Sequence, residues 1–186
     1  MRKHVAVFVN QQMVSDRVHL NQRLGAGDEN TQGPHRLVQC AAHPEALWVQ
    51  HHCGIYRSID GGHNWQAIAA PAPSGFGFAV VCDPHNAQRA WFVPAQADAC
   101  RIPVDGRMVV TRTDDGGKSF DVFGAGLPQS QAYHLVYRHG LDITADGQTL
   151  AMASITGGLW VSADCGEEWQ SVSRDLPPVA MLQFVK

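Results

Sequence analysis

Short apolar runs recur along the chain between clusters of Gly, Pro, Asp and Asn, and none has the length or period of an amphipathic helix. They fall into three sets of four. The first set is His35–Cys40, Leu47–Gln50, Gly54–Arg57 and Gln66–Ile68. The second is Phe76–Val81, Ala90–Val93, Met108–Arg112 and Asp121–Phe123, and the third is Tyr133–Tyr137, Leu150–Ala153, Leu159–Val161 and Gln170–Val172. Turn signals separate members of each set, among them His43-Pro44, Asp83-Pro84 and Asp146-Gly147. The pattern predicts three units of four short antiparallel strands, A to D, over 34–70, 75–127 and 132–178. Two further runs, Val5–Val9 and Val179–Phe184, predict a strand at each end, the latter within 179–185.

A motif with the frame Ser/Thr-x-Asp-x-Gly-x-x-aromatic occupies the turn between the third and fourth strand of every unit. Its copies are Ser58, Asp60, Gly62, Trp65, then Thr113, Asp115, Gly117, Phe120, then Ser162, Asp164, Gly166, Trp169. We call each copy a box. Asp bonds nearby backbone N–H groups, Gly supplies positive φ, and the aromatic anchors the next strand. Trp65 and Trp169 are therefore expected to be largely buried, and the three Asp residues to lock turns rather than act chemically. Boxes starting at 58, 113 and 162 repeat about every 50 residues, a period that suits stacked supersecondary units such as β-propeller blades.

These residues resemble the Asp-box, or bacterial-neuraminidase (BNR), repeat. The resemblance covers roughly residues 34 to 173 and implies an all-β fold of β-propeller blades. Leu47–His52, Val109–Thr113 and Leu135–His139 look like uncharacterised bacterial BNR-repeat proteins labelled sialidase-like or glycosyl hydrolase. The repeat also occurs in sialidases, some glucanases, sortilin-type receptors and photosystem II assembly factors, so it implies an architecture and not an activity. A closed ring needs at least four blades. The three predicted here imply a partial propeller, completed by the two end strands or by association, with a homo-oligomer as the expected form.

Composition narrows the class further. The chain has 186 residues, 45% hydrophobic and 17% charged, which suits a folded core. A net charge of −3 leaves no nucleic-acid footprint. Ten histidines outnumber that charge, so mild acid reverses its sign. Cys40, Cys53, Cys82, Cys100 and Cys165 form neither a C-x-x-C nor an even framework, which points to free thiols in a reducing compartment. The apolar start Val5–Val9 is too short for a signal sequence, and no run approaches the roughly 20 residues of a membrane span. A cytoplasmic protein with no membrane or nucleic-acid partner is expected. Residues 1–33 read as a strand followed by a polar linker, and 34–186 as the blades.

Blade topology sorts the polar residues. Strands alternate in direction, so the boxes lie on one face and the D–A and B–C loops on the other, where propellers usually bind ligands. That second face collects His35 and Arg36, then His51 and His52, then Asp98, Arg101 and Asp105 in a long loop, then Tyr133 and His134. Adjacent histidines on a strand point to opposite sides, so no metal site is expected, nor any cofactor. Cys53 beside His52 has no orienting third group and reads as a small buried thiol.

Arg101-Ile102-Pro103 is similar to the Arg-Ile-Pro motif of sialidases, whose arginine binds the substrate carboxylate. In sialidases that motif precedes the first box; here it follows it. The family's Tyr/Glu pair also has no counterpart on the face, since Glu29, Glu45, Glu167 and Glu168 all lie elsewhere. Asp98 and Asp105 are the only carboxyls placed to oppose one another. The expected function is a non-catalytic module that binds a small ligand, glycan or protein. A sialidase-like glycoside hydrolase, vestigial or completed by a second subunit, is the alternative. An aromatic-lined face would favour binding, and an opposed carboxyl pair would favour catalysis.

Overall fold

A computed structural model describes residues 4–8 and 33–185. The predicted linker, residues 10–33, lies outside the described residues except for its last, Gly33. The fold is all-β, with three four-stranded antiparallel sheets and a separate two-stranded one. Blade 1 comprises β2 (Pro34–Gln39), β3 (Leu47–His51), β4 (Gly54–Ser58) and β5 (Gln66–Ile68). Blade 2 comprises β6 (Gly77–Cys82), β7 (Ala90–Pro94), β8 (Val110–Thr113) and β9 (Asp121–Phe123). Blade 3 comprises β10 (Leu141–Ile143), β11 (Leu150–Ala153), β12 (Leu159–Ser162) and β13 (Gln170–Ser173). Strand order follows chain order in each blade, as a meander requires.

The ends meet as the apolar runs suggest. β1 (His4–Phe8) pairs antiparallel with β14 (Met181–Val185), His4 opposite Val185 and Phe8 opposite Met181. β14 sits beside β10, the innermost strand of blade 3: Phe184 N donates to Asp142 Oδ2 at 2.8 Å, and Leu182 N to the His139 carbonyl at 2.9 Å. The two-stranded sheet thus stands where a fourth blade begins.

The sequence expectation fails at one element. Tyr133–Tyr137 is not the first strand of blade 3; that strand is Leu141–Ile143. The apolar alternation of 133–137 instead buries Leu135 and Val136 in an irregular approach segment. Ile155 N donates to the Leu135 carbonyl and Gly140 N to that of Tyr137, which ties the segment down outside any ladder. Tyr133 and His134 therefore precede the blade.

Residues alternate between the face toward the preceding blade and the face toward the following one. Between blades 1 and 2, Trp48 and Ile55 meet Val80 and Phe92. Between blades 2 and 3, Trp91 and Val110 meet Leu150, Met152, Trp160 and Trp169. Because blade 2 is covered on both sides, every residue of β6 and β7 is buried. A polar staple reinforces both contacts. Trp48 and Arg57 are cross-strand neighbours, as are Trp91 and Arg112. Trp48 Nε1 donates to the Ala87 carbonyl (3.1 Å) and Arg57 Nη1 reaches the Gly116 carbonyl (3.5 Å), both in blade 2. Trp91 Nε1 and Arg112 Nη1 donate to the Cys165 carbonyl of blade 3, at 2.7 and 3.2 Å. Blade 3 has Ala151 and Val161 at those two registers. Its far side is a smooth apolar contact of Ala151, Ala153 and Leu159 with Val179 and Leu182.

Candidate functional site

Each box is held by its own side chains. Ser58 Oγ, Thr113 Oγ1 and Ser162 Oγ accept from the N–H groups of Gly62, Gly117 and Gly166 at 2.8–2.9 Å. The same hydroxyls donate to Asp60, Asp115 and Asp164. The backbone and side-chain amides of Asn64 bond Asp60 and, with Ser58, hold its carboxyl down at about 2. Asp115 lies well below the usual carboxylate range, through Ser119 first and then Thr113 and Lys118. Burial acts the other way on Asp164, but bonds from Ser162, Glu168 and Glu167 outweigh it and keep it low. All three carboxylates are turn acceptors. A depression of about 230 Å³ borders the first box, lined by Arg57, Ile59, Asp60, Asn64, Trp65 and Gln66. It lies at the box end, away from the D–A and B–C loops.

The opposite face is aromatic. His35, at the start of β2, stacks on Phe78 at 4.4 Å between ring centres and meets His52 and Phe76 edge-on at 5.8 and 5.6 Å. Its Nδ1 bonds the Gly77 carbonyl at 2.6 Å. Tyr137 packs edge-on to Phe78 at 5.1 Å. Arg101 lies over the Phe78 ring at 5.4 Å. Its Nη1 donates to the Tyr137 hydroxyl (3.3 Å), and its Nη2 pairs with Asp98 (2.6 Å). Tyr133, 63% exposed, stands in the approach to blade 3. Burial pushes His35 down to about 4, against its bond to Gly77 and aided by the charge of Arg138, so the ring is neutral at pH 7.

The remaining sequence-predicted residues lie apart. His51 Nδ1 accepts from Cys53 N at 3.1 Å and its ring meets Tyr56 edge-on, while the Cys53 side chain, expected to be buried, is exposed in the turn after β3. Arg36 crosses the inner end of the sheets, donating to the Arg138 carbonyl at 2.6 Å and contacting His139 Nδ1 at 3.2 Å. His134 bonds Thr156 Oγ1 at 2.6 Å and lies edge-on to Trp160. Asp105 is exposed, at φ 54° in a 3-10 turn over Val104–Gly106. Among the described residues no three His, Cys, Asp or Glu side chains converge as a metal site would require. Phe76, Phe78 and Tyr137 organise the face and were read only as strand residues. Their one sequence signal is an aromatic density unusual for a chain that is 8% aromatic.

Arg101 is exposed, yet each of its guanidinium nitrogens has a partner, since its Nε also donates to the Asp98 carbonyl at 3.1 Å. A guanidinium so placed braces the loop. Asp98 is likewise tied to Arg101, so it faces a cation, whereas a glycosidase pair needs two opposed carboxyls.

No family model matches the sequence, and no curated protein does. Solved structures do. The fold is similar to a GH74 xyloglucanase from Xanthomonas campestris, with TM-score 0.56 and 19% identity over 74% of this chain and 20% of that one. It is similar to an ancestral GH74 enzyme, with TM-score 0.54 and 16% identity over 73% of this chain and 18% of the other. YCF48 bound to a D1 peptide matches with TM-score 0.53 and 15% identity over 77% of this chain and 40% of its own. The described sheets are β-propeller blades. The chain spans a fifth to two-fifths of those proteins, and at these identities the likeness concerns the fold alone. Among the described residues no helix is long and apolar enough to cross a membrane.

Proposed function

We propose that the chain is a non-catalytic binding module of the BNR-repeat type, taking a protein segment on the aromatic face of the D–A and B–C loops. The observation that carries this reading is the composition of that face. Phe76, Phe78, Tyr137, His35 and His52 form an aromatic cluster in which Phe78 and His35 are buried and Phe76, Tyr137 and His52 are half-buried at the surface, Tyr133 is exposed in the approach to blade 3, and the face's cation and carboxylate neutralise each other. Aromatic rings offer large contact area at low entropic cost, which suits peptide recognition more than bond cleavage. YCF48, whose blades this chain resembles, is bound to a D1 peptide in one structure, which makes a protein partner the better choice over a glycan.

The test is selection of a displayed random-peptide library against the full chain. Enriched peptides are expected to lose binding at least tenfold to Tyr133→Ser and to be indifferent to Asp115→Asn on the box face. Peptides that ignore Tyr133→Ser, or no enrichment, would overturn the reading. Turnover of a fluorogenic sialoside or of xyloglucan, abolished by Asp98→Asn, would replace it with the hydrolase.

A further inference from the structure

The guanidinium of Arg101 sits in a receptor built from three kinds of partner. Its central carbon lies 5.4 Å from the centre of the Phe78 ring, an aromatic surface for a cation. Nη1 meets the Tyr137 hydroxyl at 3.3 Å. Asp98 supplies a carboxylate oxygen to Nη2 at 2.6 Å and its backbone carbonyl to Nε at 3.1 Å. A flat ring against a planar cation, with a carboxylate and two further acceptors for its N–H groups, is the chemistry that recognises a guanidinium. An ammonium suits the same set less well, because a compact charge matches neither the plane nor the fork.

The receptor is held by contacts other than those of Arg101. Phe78 belongs to β6, is buried, and has His35 stacked on it with Phe76 and Tyr137 edge-on. Tyr137 is tied into the approach segment, where its carbonyl accepts from Gly140 N at 2.7 Å. The loop that Arg101 braces has bonds of its own as well. Gln96 N donates to the Ile102 carbonyl at 2.8 Å, Ala97 and Cys100 exchange backbone bonds at 3.2 and 3.1 Å, and Pro103 is buried. These keep Asp98 in position when the arginine leaves. The occupant, by contrast, is loosely held. The side chains of Arg101 and Asp98 are 44% and 42% exposed, and exposed ion pairs and exposed cation–π contacts are weak.

We infer that Arg101 is a displaceable stand-in, and that the receptor formed by Phe78, Tyr137 and Asp98 takes an arginine side chain of the bound partner. The partner is thereby narrowed to a segment that presents an arginine, and this narrowing rests on the reading of the face as a peptide seat. When the partner's arginine enters, Arg101 swings into water, and its ion pair with Asp98 and its contact with Tyr137 pass to the newcomer. No carboxylate is left without a cation at any stage. A tethered side chain competes at a high effective concentration. The wild type therefore resists arginine alone and admits it only with the added contacts of a longer segment.

The probe is N-acetyl-arginine methylamide, titrated into the full chain and followed by the amide chemical shifts of Asp98 and Tyr137. Saturable binding to Arg101→Ala is expected, at least tenfold tighter than to the wild type. Arg101→Lys keeps the charge beside Asp98 but lacks the planar fork. It should also take the probe more tightly than the wild type, so the test stands even where the alanine variant folds poorly. Adding Asp98→Asn to either variant should remove binding, and the uncharged citrulline analogue should not bind. No binding to either variant, binding that survives Asp98→Asn, or equal binding of the citrulline analogue would overturn the proposal. Peptides enriched on the wild type should bind Arg101→Ala more tightly. An unchanged or lower affinity would overturn the receptor and leave the peptide seat standing. Probe binding without any enriched peptide would uphold the receptor and overturn only the peptide seat.

Discussion

At the scale of single residues, the boxes show how one hydroxyl organises a turn. Thr113 is fully buried; it accepts from Gly117 N and donates to Asp115. Thr113→Val keeps the shape and removes both bonds, leaving a buried N–H unpaired. That should cost about 1–3 kcal/mol in urea denaturation. His35 gives a second prediction, in pH. Its pKa falls from 6.5 to about 4 on folding. A depressed value means the stabilisation is complete above pH 6.5 and is lost as pH falls through about 4. The loss should reach roughly 2–4 kcal/mol across that window. His134 and His139 are lowered in the same direction, by burial first and then by neighbouring arginines. His35→Phe should flatten, without abolishing, the slope of stability against pH between 6.5 and 4. An unchanged slope would show that His35 titrates normally.

At the scale of elements, the aromatics of the second and third boxes work for the interface with the blade before them, while Trp65 of the first is half-buried where Trp169 is 2% exposed. Trp169 N also donates to the Ala125 carbonyl, so the third box is joined to blade 2 through backbone and ring together. Trp169→Ala should cost about 3–5 kcal/mol. Trp65→Ala, at the same position of a half-buried box, should cost less than half as much in the same assay. Equal losses would mean that Trp65 is covered as completely as Trp169. Most strands were legible in the sequence, because turn residues and the spacing of Trp65, Phe120 and Trp169 mark them locally. The approach segment 133–137 was not. Its alternation is genuine, but Leu135 and Val136 serve packing between blades, and the short Leu141–Ile143 has only three residues to announce itself. The candidate face was legible as a set of loops. What Arg101 touches was not, since its pairing with Asp98 and Tyr137 depends on how the blades stand together.

At the scale of the whole molecule, the staples all point one way, from each blade to the next, and they stop at Ala151 and Val161. The two sides of the described blades are therefore unlike: one meets β14 and the segment before it, and against the other no described blade packs. Stability should consequently be uneven, with amide exchange slowest in β6 and β7 and faster in β5, whose Gln66 and Ala67 are exposed. The pairing of β1 with β14 has a further consequence, in time. A strand at residues 4–8 is made before the three blades, and its partner at 181–185 only after them. Each blade closes on contacts local in sequence, whereas this ladder joins residues on either side of all three blades and must form after them. Until it does, the first strand is a bare edge open to pairing elsewhere.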